Sequence, residues 1–378
     1  MRKILFYLVP MLMLFASCEE YYKPVIDVVP GSLVVESRMT NDTTQNFVRL
    51  SISRDFYSTA PVEWVTGAHI ELIESGGSIM QALERSPGYY TFKEVPVEGK
   101  KYSLRISTPG NDVYESDFAE MPPVPTIDSL YTKDHIEKRY RTNAYNVPEL
   151  YETPGRQILI DAPLTPKLNH YMFNYQAVIQ WYYSLAAIDS APTPIEDLRI
   201  KQAVIDNSMA RPHDTIWYGW ITMKNNDEFN LAGPKEFSVS DHVTNHVIEW
   251  LDYRERLYLD STVQQPFHWI FTLDQYGITK ASFDFHTKLN QQFSSEGNLF
   301  DPVLTQVPGN VHCVNDPSKI ALGFFDLCSY KRYRYFMNLG SGPDNSVKIR
   351  QLNYFYNIPD RGFFKDKLPA FWETNYPK

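Results

Sequence analysis

The chain has 378 residues, 43% of them hydrophobic and 15% aromatic, with 36 basic against 45 acidic side chains. That composition excludes collagen-like, coiled-coil and intrinsically disordered polymers, and the length suffices for two or three domains with cores of their own. The net charge of −9 argues against a nucleic-acid partner, because neutralising phosphates needs a surplus of Lys and Arg on one face.

The first segment in chain order is a targeting signal. Arg2 and Lys3 make a basic start, residues 4–15 an apolar run, and Ala16-Ser17-Cys18 is followed by Glu19-Glu20. The run is shorter than the roughly 20 residues a membrane-spanning helix needs, and Pro10 interrupts it, so residues 1–17 read as a removable secretory leader. Small residues before a single Cys resemble the lipobox of bacterial lipoproteins, with Phe15 where Leu is usual. The resemblance implies diacylation of Cys18 through its sulfur, removal of residues 1–17 and acylation of the new amine. Such anchoring lasts, since each buried CH₂ contributes about 0.8 kcal/mol and one chain alone is marginal. An ordinary signal peptide with an incidental cysteine is the alternative. The mature chain is then lipid-tethered through residues 18–23 and water-soluble in body. Losing Arg2 and Lys3 takes the 36 basic side chains to 34, against 45 acidic ones, so electrostatics do not press the body onto anionic lipid. Glu19-Glu20 resembles the acidic export signal of Bacteroidetes surface lipoproteins; a solvated charged tether is the other reading.

Period-two alternation dominates residues 31–120. Val48, Leu50 and Ile52 alternate with Arg49 and Ser51; Ile70 and Leu72 with His69 and Glu71; Tyr102, Leu104 and Ile106 with Ser103 and Arg105. These are half-buried strands. Turn residues at Asn41-Asp42, Gly76-Gly77, Pro87-Gly88, Gly99 and Pro109-Gly110 separate about seven of them, the rhythm of an antiparallel sandwich at 24–121. The strings Gly88-Tyr89-Tyr90-Thr91-Phe92 and Lys101-Tyr102-Ser103-Leu104 resemble the prealbumin-like or carboxypeptidase-regulatory-like sandwiches of bacterial surface proteins, so the domain is expected to be an immunoglobulin-like or prealbumin-like β-sandwich. Residues 122–126, rich in proline, predict a stiff linker.

A larger β-rich domain follows at 127–378, making the whole chain all-β, mainly strand with a few short helices. Its polar start, through Arg156, predicts a long loop. Tyr171, Phe173, Tyr175, Ala177, Ile179, Trp181 and Tyr183 then form one continuous apolar face, the clearest strand in the sequence. Further strands are predicted at 156–161, 215–223, 268–273, 320–326 and 330–336. Thr193-Pro194-Ile195-Glu196 is a capping box, predicting a helix to about Asp206. A second helix near 282–296 places Phe285, Leu289 and Phe293 on one face and stops at Gly297. A third is predicted over 241–253.

The sequence has no GxSxG elbow, P-loop, GxGxxG or HExxH, so it points to no catalytic residue, no metal and no cofactor. His242 and His246 have one helical turn between them, but Val243 stands where a metalloprotease keeps its base, and two partly exposed histidines are the plainer reading. With Cys18 committed to lipid, Cys313 and Cys328 form a disulfide or remain two buried thiols. Trp217, Tyr218 and Trp220 are the aromatics best suited to stack on a ligand, with a strand core as the alternative. Tyr330-Lys331-Arg332-Tyr333-Arg334-Tyr335 reads as a strand with a basic wet face and an aromatic inner one. Asp-Ser/Thr triplets carrying Thr43, Ser129, Ser190, Thr215 and Ser261 resemble an O-glycosylation signal.

In the last third, Tyr276-Gly277-Ile278-Thr279, Asn298-Leu299-Phe300-Asp301-Pro302, Val307-Pro308-Gly309-Asn310-Val311 and Ala321-Leu322-Gly323-Phe324-Phe325 stand in the order of the domain-of-unknown-function 4249 lipoproteins of Bacteroidetes, which the chain resembles. Phe324 and Phe325 depart from a frequent Tyr-Phe. The resemblance implies an outer-membrane lipoprotein, facing the cell surface, that partners a TonB-dependent receptor in nutrient uptake. It carries no catalytic residues. A structural or adhesive module that binds protein or glycan without a transporter is the rival expectation, and a secreted hydrolase the third. Gly309 and Gly323 alone imply a turn and a close backbone approach.

Overall fold

A computed structural model describes residues 31–54, 58–142, 147–184, 216–224, 229–234, 241–252, 267–293 and 307–339. The fold is all-β, and one α-helix lies among the described residues. Eight strands come from the predicted sandwich: β1 (Leu33–Met39), β2 (Phe47–Ile52), β3 (His69–Glu74), β4 (Ile79–Ser86), β5 (Tyr89–Phe92), β6 (Lys101–Ser107), β7 (Val113–Ser116) and β8 (Ala119–Glu120). Their alternation works as read: Val48, Leu50, Ile70, Leu72, Tyr102, Leu104 and Ile106 are all buried in one core. Strand β4 bends between layers, pairing β3 through Ile79 to Gln81 and β5 through Ala82 to Ser86.

Two strands from far along the chain complete this sheet, so it is not confined to 24–121. β16 (Val311–Cys313) pairs antiparallel with β7, and β17 (Ala321–Leu327) pairs parallel with β1 over seven residues, Leu33↔Ala321 to Met39↔Leu327. Val311, Cys313, Phe325 and Leu327 enter the same core as Val35 and Leu50. The ten-stranded order therefore begins at β16 and ends at β17, strands consecutive in sequence.

The proline segment is packed rather than free. Met121 is buried in the sandwich core, and Thr126 and Pro125 carbonyls accept from Gln275 Nε2 and the Tyr333 hydroxyl at 3.4 Å each. After it, the stretch read as a loop is a long hairpin, β9 (Ser129–Thr142) and β10 (Pro148–Pro163), paired from Asp161↔Ser129 to Pro148↔Thr142. Charged residues on both faces of β9, among them Lys133, Asp134, Glu137 and Lys138, hid its alternation.

β10 also pairs with β14 (His242–Asp252), where a helix was predicted. Val243, Thr244, Val247 and Ile248 are β-branched and favour the strand over a helical turn. Two bulges interrupt the ladder, and Asn245 takes a φ of 50° at the second. The other sheet runs β12 (Ile216–Lys224), β11 (Tyr171–Ser184), β15 (Phe267–Gly277), β18 (Ser329–Leu339), with β13 (Asn230–Ala232) beside β11. Ile158, Ile160, Ala162, Val243 and Ile248 of the three-stranded sheet share a core with Tyr171, Phe173, Tyr175, Ala177, Phe271 and Leu273.

Helix α1 (Lys280–Phe293) covers the opposite face of that larger sheet through Phe283, beside Met172, Tyr276, Ile278, Cys328 and Tyr330. It starts two residues before the predicted 282 because the Thr279 hydroxyl caps it, accepting from the Ser282 N–H at 3.2 Å. Its buried face is Ser282, Phe285 and His286, and Phe293 is 58% exposed, so the apolar stripe read from the sequence is only partly the packing face. The capping-box helix predicted after Thr193 lies outside the described residues.

Candidate functional site

The two halves meet where β1 and β17 face β15, β18 and α1. At this seam the Asp326 carboxylate on β17 is buried and takes two hydrogen bonds, both from helix α1, while the Arg38 charge faces it from β1. His286 Nε2 lies 2.8 Å from Oδ2, and the Ser282 hydroxyl donates to Oδ1. Burial opposes ionisation, but His286, the Ser282 hydroxyl and the Arg38 charge together hold the carboxyl below its ordinary range. Arg38, on β1, lays its guanidinium 4.6 Å from the Tyr276 ring centre, a cation–π contact across the seam. Burial pushes the Tyr276 hydroxyl up to about 12, keeping it a neutral donor to Gln45 Oε1 at 3.2 Å.

Serine, histidine and aspartate together suggest a hydrolytic triad, but the arrangement is not one. In a triad the imidazole stands between hydroxyl and carboxylate and takes the hydroxyl proton. Here both Ser282 and His286 point at the carboxylate, His286 Nδ1 is buried without a partner, and Ser282 has no exposed surface. Phe229, Phe285 and Phe324 rings close around the imidazole at 4.2, 5.4 and 6.4 Å. The cluster ties helix to sandwich.

Beside it the seam opens into a cleft of about 470 Å³ lined by Asn41, Asp42, Thr43, Val95, Tyr330, Lys331 and Arg332. The β1–β2 turn forms one wall, because Asn41 clamps the Tyr330 backbone, donating Nδ2–H to its carbonyl at 3.1 Å and accepting its N–H at 2.6 Å. Arg332 is held by Asp274 through two bonds of 2.6 and 2.9 Å. Lys331 sits 5.1 Å over the Tyr333 ring. The cleft is shallow and open to solvent, and its Asn41 amide and Arg332 guanidinium are already committed to Tyr330 and Asp274.

The family motif of the sequence resolves into packing. A Cβ on Gly323 would lie 2.0 Å from the Val35 carbonyl oxygen, its φ is +92°, and a Cβ on Gly309 would lie 1.7 Å from the Gly323 oxygen. Asn310 repeats the Asn41 clamp on Phe325, donating to its carbonyl at 3.1 Å and accepting its N–H at 2.8 Å. Pro-Gly-Asn and Leu-Gly-Phe-Phe are therefore the two sides of one backbone lock.

Other residues singled out are placed as follows. Cys18 lies outside the described residues. Cys313 and Cys328 are free and buried, in different apolar clusters, which decides for two thiols over a disulfide; burial pushes the Cys328 thiol up. Trp217, Tyr218 and Trp220 fall on β12, an edge strand, opposite Tyr183, Tyr182 and Gln180, with their side chains outside the described set. His242 contacts Asp241 at 2.8 Å and Asp128 at 3.6 Å, whereas His246 Nε2 contacts Asn230 Oδ1 at 2.5 Å, so the strand gives each its own partner. Among the described residues no group of three His, Cys, Asp or Glu could hold a metal ion. Tyr333 and Tyr335 pack toward the inner core, but Tyr330 lies in the cluster on the other face, so β18 is aromatic on both sides. Thr43 is exposed at the cleft rim, while Ser129 donates to Asp161 Oδ2 at 2.9 Å; the other three triplets lie outside the described residues.

Sequence reasoning missed the Asp326 cluster. Ser282 and His286 stand four apart, which puts them on one helix face once the helix is placed, but nothing in the sequence connects them to Asp326 or Arg38.

Against known proteins, the family model described as domain of unknown function (DUF4249) matches residues 19–334, and the chain belongs to that family. No curated protein and no solved structure matches it.

Proposed function

We propose that this DUF4249 chain is an outer-membrane lipoprotein, anchored through Cys18, that acts as an accessory or ligand-binding partner of a TonB-dependent transporter in nutrient uptake. The observation that carries the reading is the leader itself: an apolar run that stops at Ala16-Ser17-Cys18 with acidic residues directly after it. The seam gives no support to hydrolysis, because its Ser282, His286 and Asp326 are sealed and paired in the wrong order for acyl transfer. Cell-surface exposure is part of the same proposal.

Two measurements test it. Replacing Cys18 by Ser should release the protein from the membrane fraction and abolish incorporation of labelled palmitate; unchanged fractionation refutes the anchor. A C-terminal tag should recover a β-barrel receptor in stoichiometric amount under mild detergent, and repeated recovery of the lipoprotein alone favours the adhesive alternative.

A further inference from the structure

The outward face of the sandwich carries a row of aromatic rings. On β2 the inward positions Val48 and Leu50 are core, so Phe47, Arg49 and Ser51 point the other way. Arg49 stands opposite Tyr89 of β5, and Ser51 opposite Trp64, which lies in a loop segment that takes over from β5 beside the end of β2. Residues opposed in an antiparallel ladder share a face, so Trp64, Tyr89 and Phe47 share one surface. The Phe47 and Tyr89 rings are within 13° of parallel with centres 6.1 Å apart, and the Arg49 guanidinium lies 5.8 Å from each. Glu36 of β1 holds Arg49 at 2.9 Å, and both side chains stay about half exposed.

Trp64 is 41% exposed yet firmly held. The Ile52 N–H donates to the Glu63 carbonyl at 2.9 Å and the Val65 N–H to the Leu50 carbonyl at 3.1 Å, which ties its loop to β2. The buried Tyr90 hydroxyl donates to the Val65 carbonyl at 2.9 Å and accepts the Ala68 N–H at 3.1 Å. Glu84 joins the loop to the β4–β5 turn, accepting the Gly67 and Gly88 N–H groups at 2.9 and 3.1 Å. A Cβ on Gly88 would lie 3.0 Å from Trp64 Cβ and 3.1 Å from Cε3, so the indole rests on bare backbone. These bonds fix a ring that is turned away from the core, which is the arrangement of a pre-organised contact.

We propose that the row of Trp64, Tyr89 and Phe47 is a binding platform for a neutral glycan chain. A pyranose has C–H faces that stack on aromatic rings and a rim of hydroxyls that both donate and accept. Beside the rings, the Arg49–Glu36 pair presents a fixed donor and a fixed acceptor to such a rim. Charges on this face oppose one another: Arg49 meets Glu36, Arg38 stands in register with Asp326, and Arg85, bonded to Thr91 Oγ1 at 3.0 Å, has Glu84 next to it. That balance gives an ionic ligand little to bind. A proline-rich peptide is recognised in an aromatic-lined groove, whereas these rings lie on a sheet face. The platform is argued from this face alone, whether or not a transporter is the partner, so its failure leaves the Cys18 proposal standing.

The test titrates the full chain calorimetrically with cellohexaose, maltohexaose and mannohexaose, with oligogalacturonate as the anionic control and a polyproline peptide as the peptide control. At least one neutral hexasaccharide should bind saturably, with an affinity that changes little between about 50 mM and about 500 mM salt. Trp64→Ala or Tyr89→Ala should weaken it about tenfold or more. Trp64→Phe, which keeps a ring in place, should retain most of the binding, and Ile136→Ser on the distant β9 should leave it unchanged. Failure of all three hexasaccharides to bind, binding undiminished in both alanine variants, or tighter binding of oligogalacturonate or polyproline would each overturn the proposal.

Discussion

β17 and β9 are both outermost among the described strands, yet β17 is locked in place while the outer part of β9 holds apolar side chains in solvent. Gly323 lets β17 approach Val35 more closely than any side chain permits, Asn310 clamps its backbone, and Asp326 ties it to α1 and faces the Arg38 charge. The outer part of β9, by contrast, carries Ile136 and Tyr140 into solvent. An edge with its own fastenings belongs to the fold. A strand that carries charge on both faces is kept from random pairing by that charge.

The contrast is broken most severely at the glycines. Gly323→Ala, with φ at +92° and its Cβ 2.0 Å from the Val35 oxygen, should cost more than about 4 kcal/mol in urea unfolding or prevent folding, and a loss below about 1 kcal/mol would show that β17 is not locked. Next, Asp326→Asn should cost about 3–5 kcal/mol, because it leaves Arg38 and His286 without their carboxylate. The folded carboxyl lies below its ordinary value of 3.8, so its stabilisation is present above that pH and is lost as pH falls through the lower folded value. The variant's stability should therefore flatten below about pH 4 where the wild type declines.

Asn310→Ala should cost about 1–3 kcal/mol by leaving the Phe325 N–H and carbonyl unpaired. On the outer part of β9, Ile136→Ser or Tyr140→Ser should move stability by no more than about 0.5 kcal/mol, sharpening the distinction between a locked strand and an exposed one. Smallest of all is His242. Its exposed ring, hydrogen-bonded to Asp241, should titrate above the ordinary 6.5 in an NMR experiment and return toward it in Asp241→Asn. What it adds to stability is present below 6.5 and fades as pH rises through the folded value.

Strands whose two faces differ were legible from the sequence: Leu50, Leu72 and Leu104 announce their neighbours by alternation, and all are buried. β9 was not, because Lys133, Asp134, Glu137 and Lys138 leave neither face apolar enough to show a period. β14 was misread because two histidines four apart suit a helix as well as a bulged strand, and only its partner β10 decides. The reach of β17 back to β1 was invisible for another reason. Its glycines said that something comes close, but not what. The Asp326 cluster was hidden likewise, since three distant segments supply it.

The parallel pairing of Leu33 with Ala321 also sets the order of events during synthesis. A chain emerging N-terminus first must hold its opening strands beside an empty lane until nearly all of it has appeared. Closing so large a loop costs about 4 kcal/mol more than closing a hairpin-sized one. A translation pause or truncation before residue 321 would thus leave an unfinished wall, exposed for pairing with whatever strand arrives first.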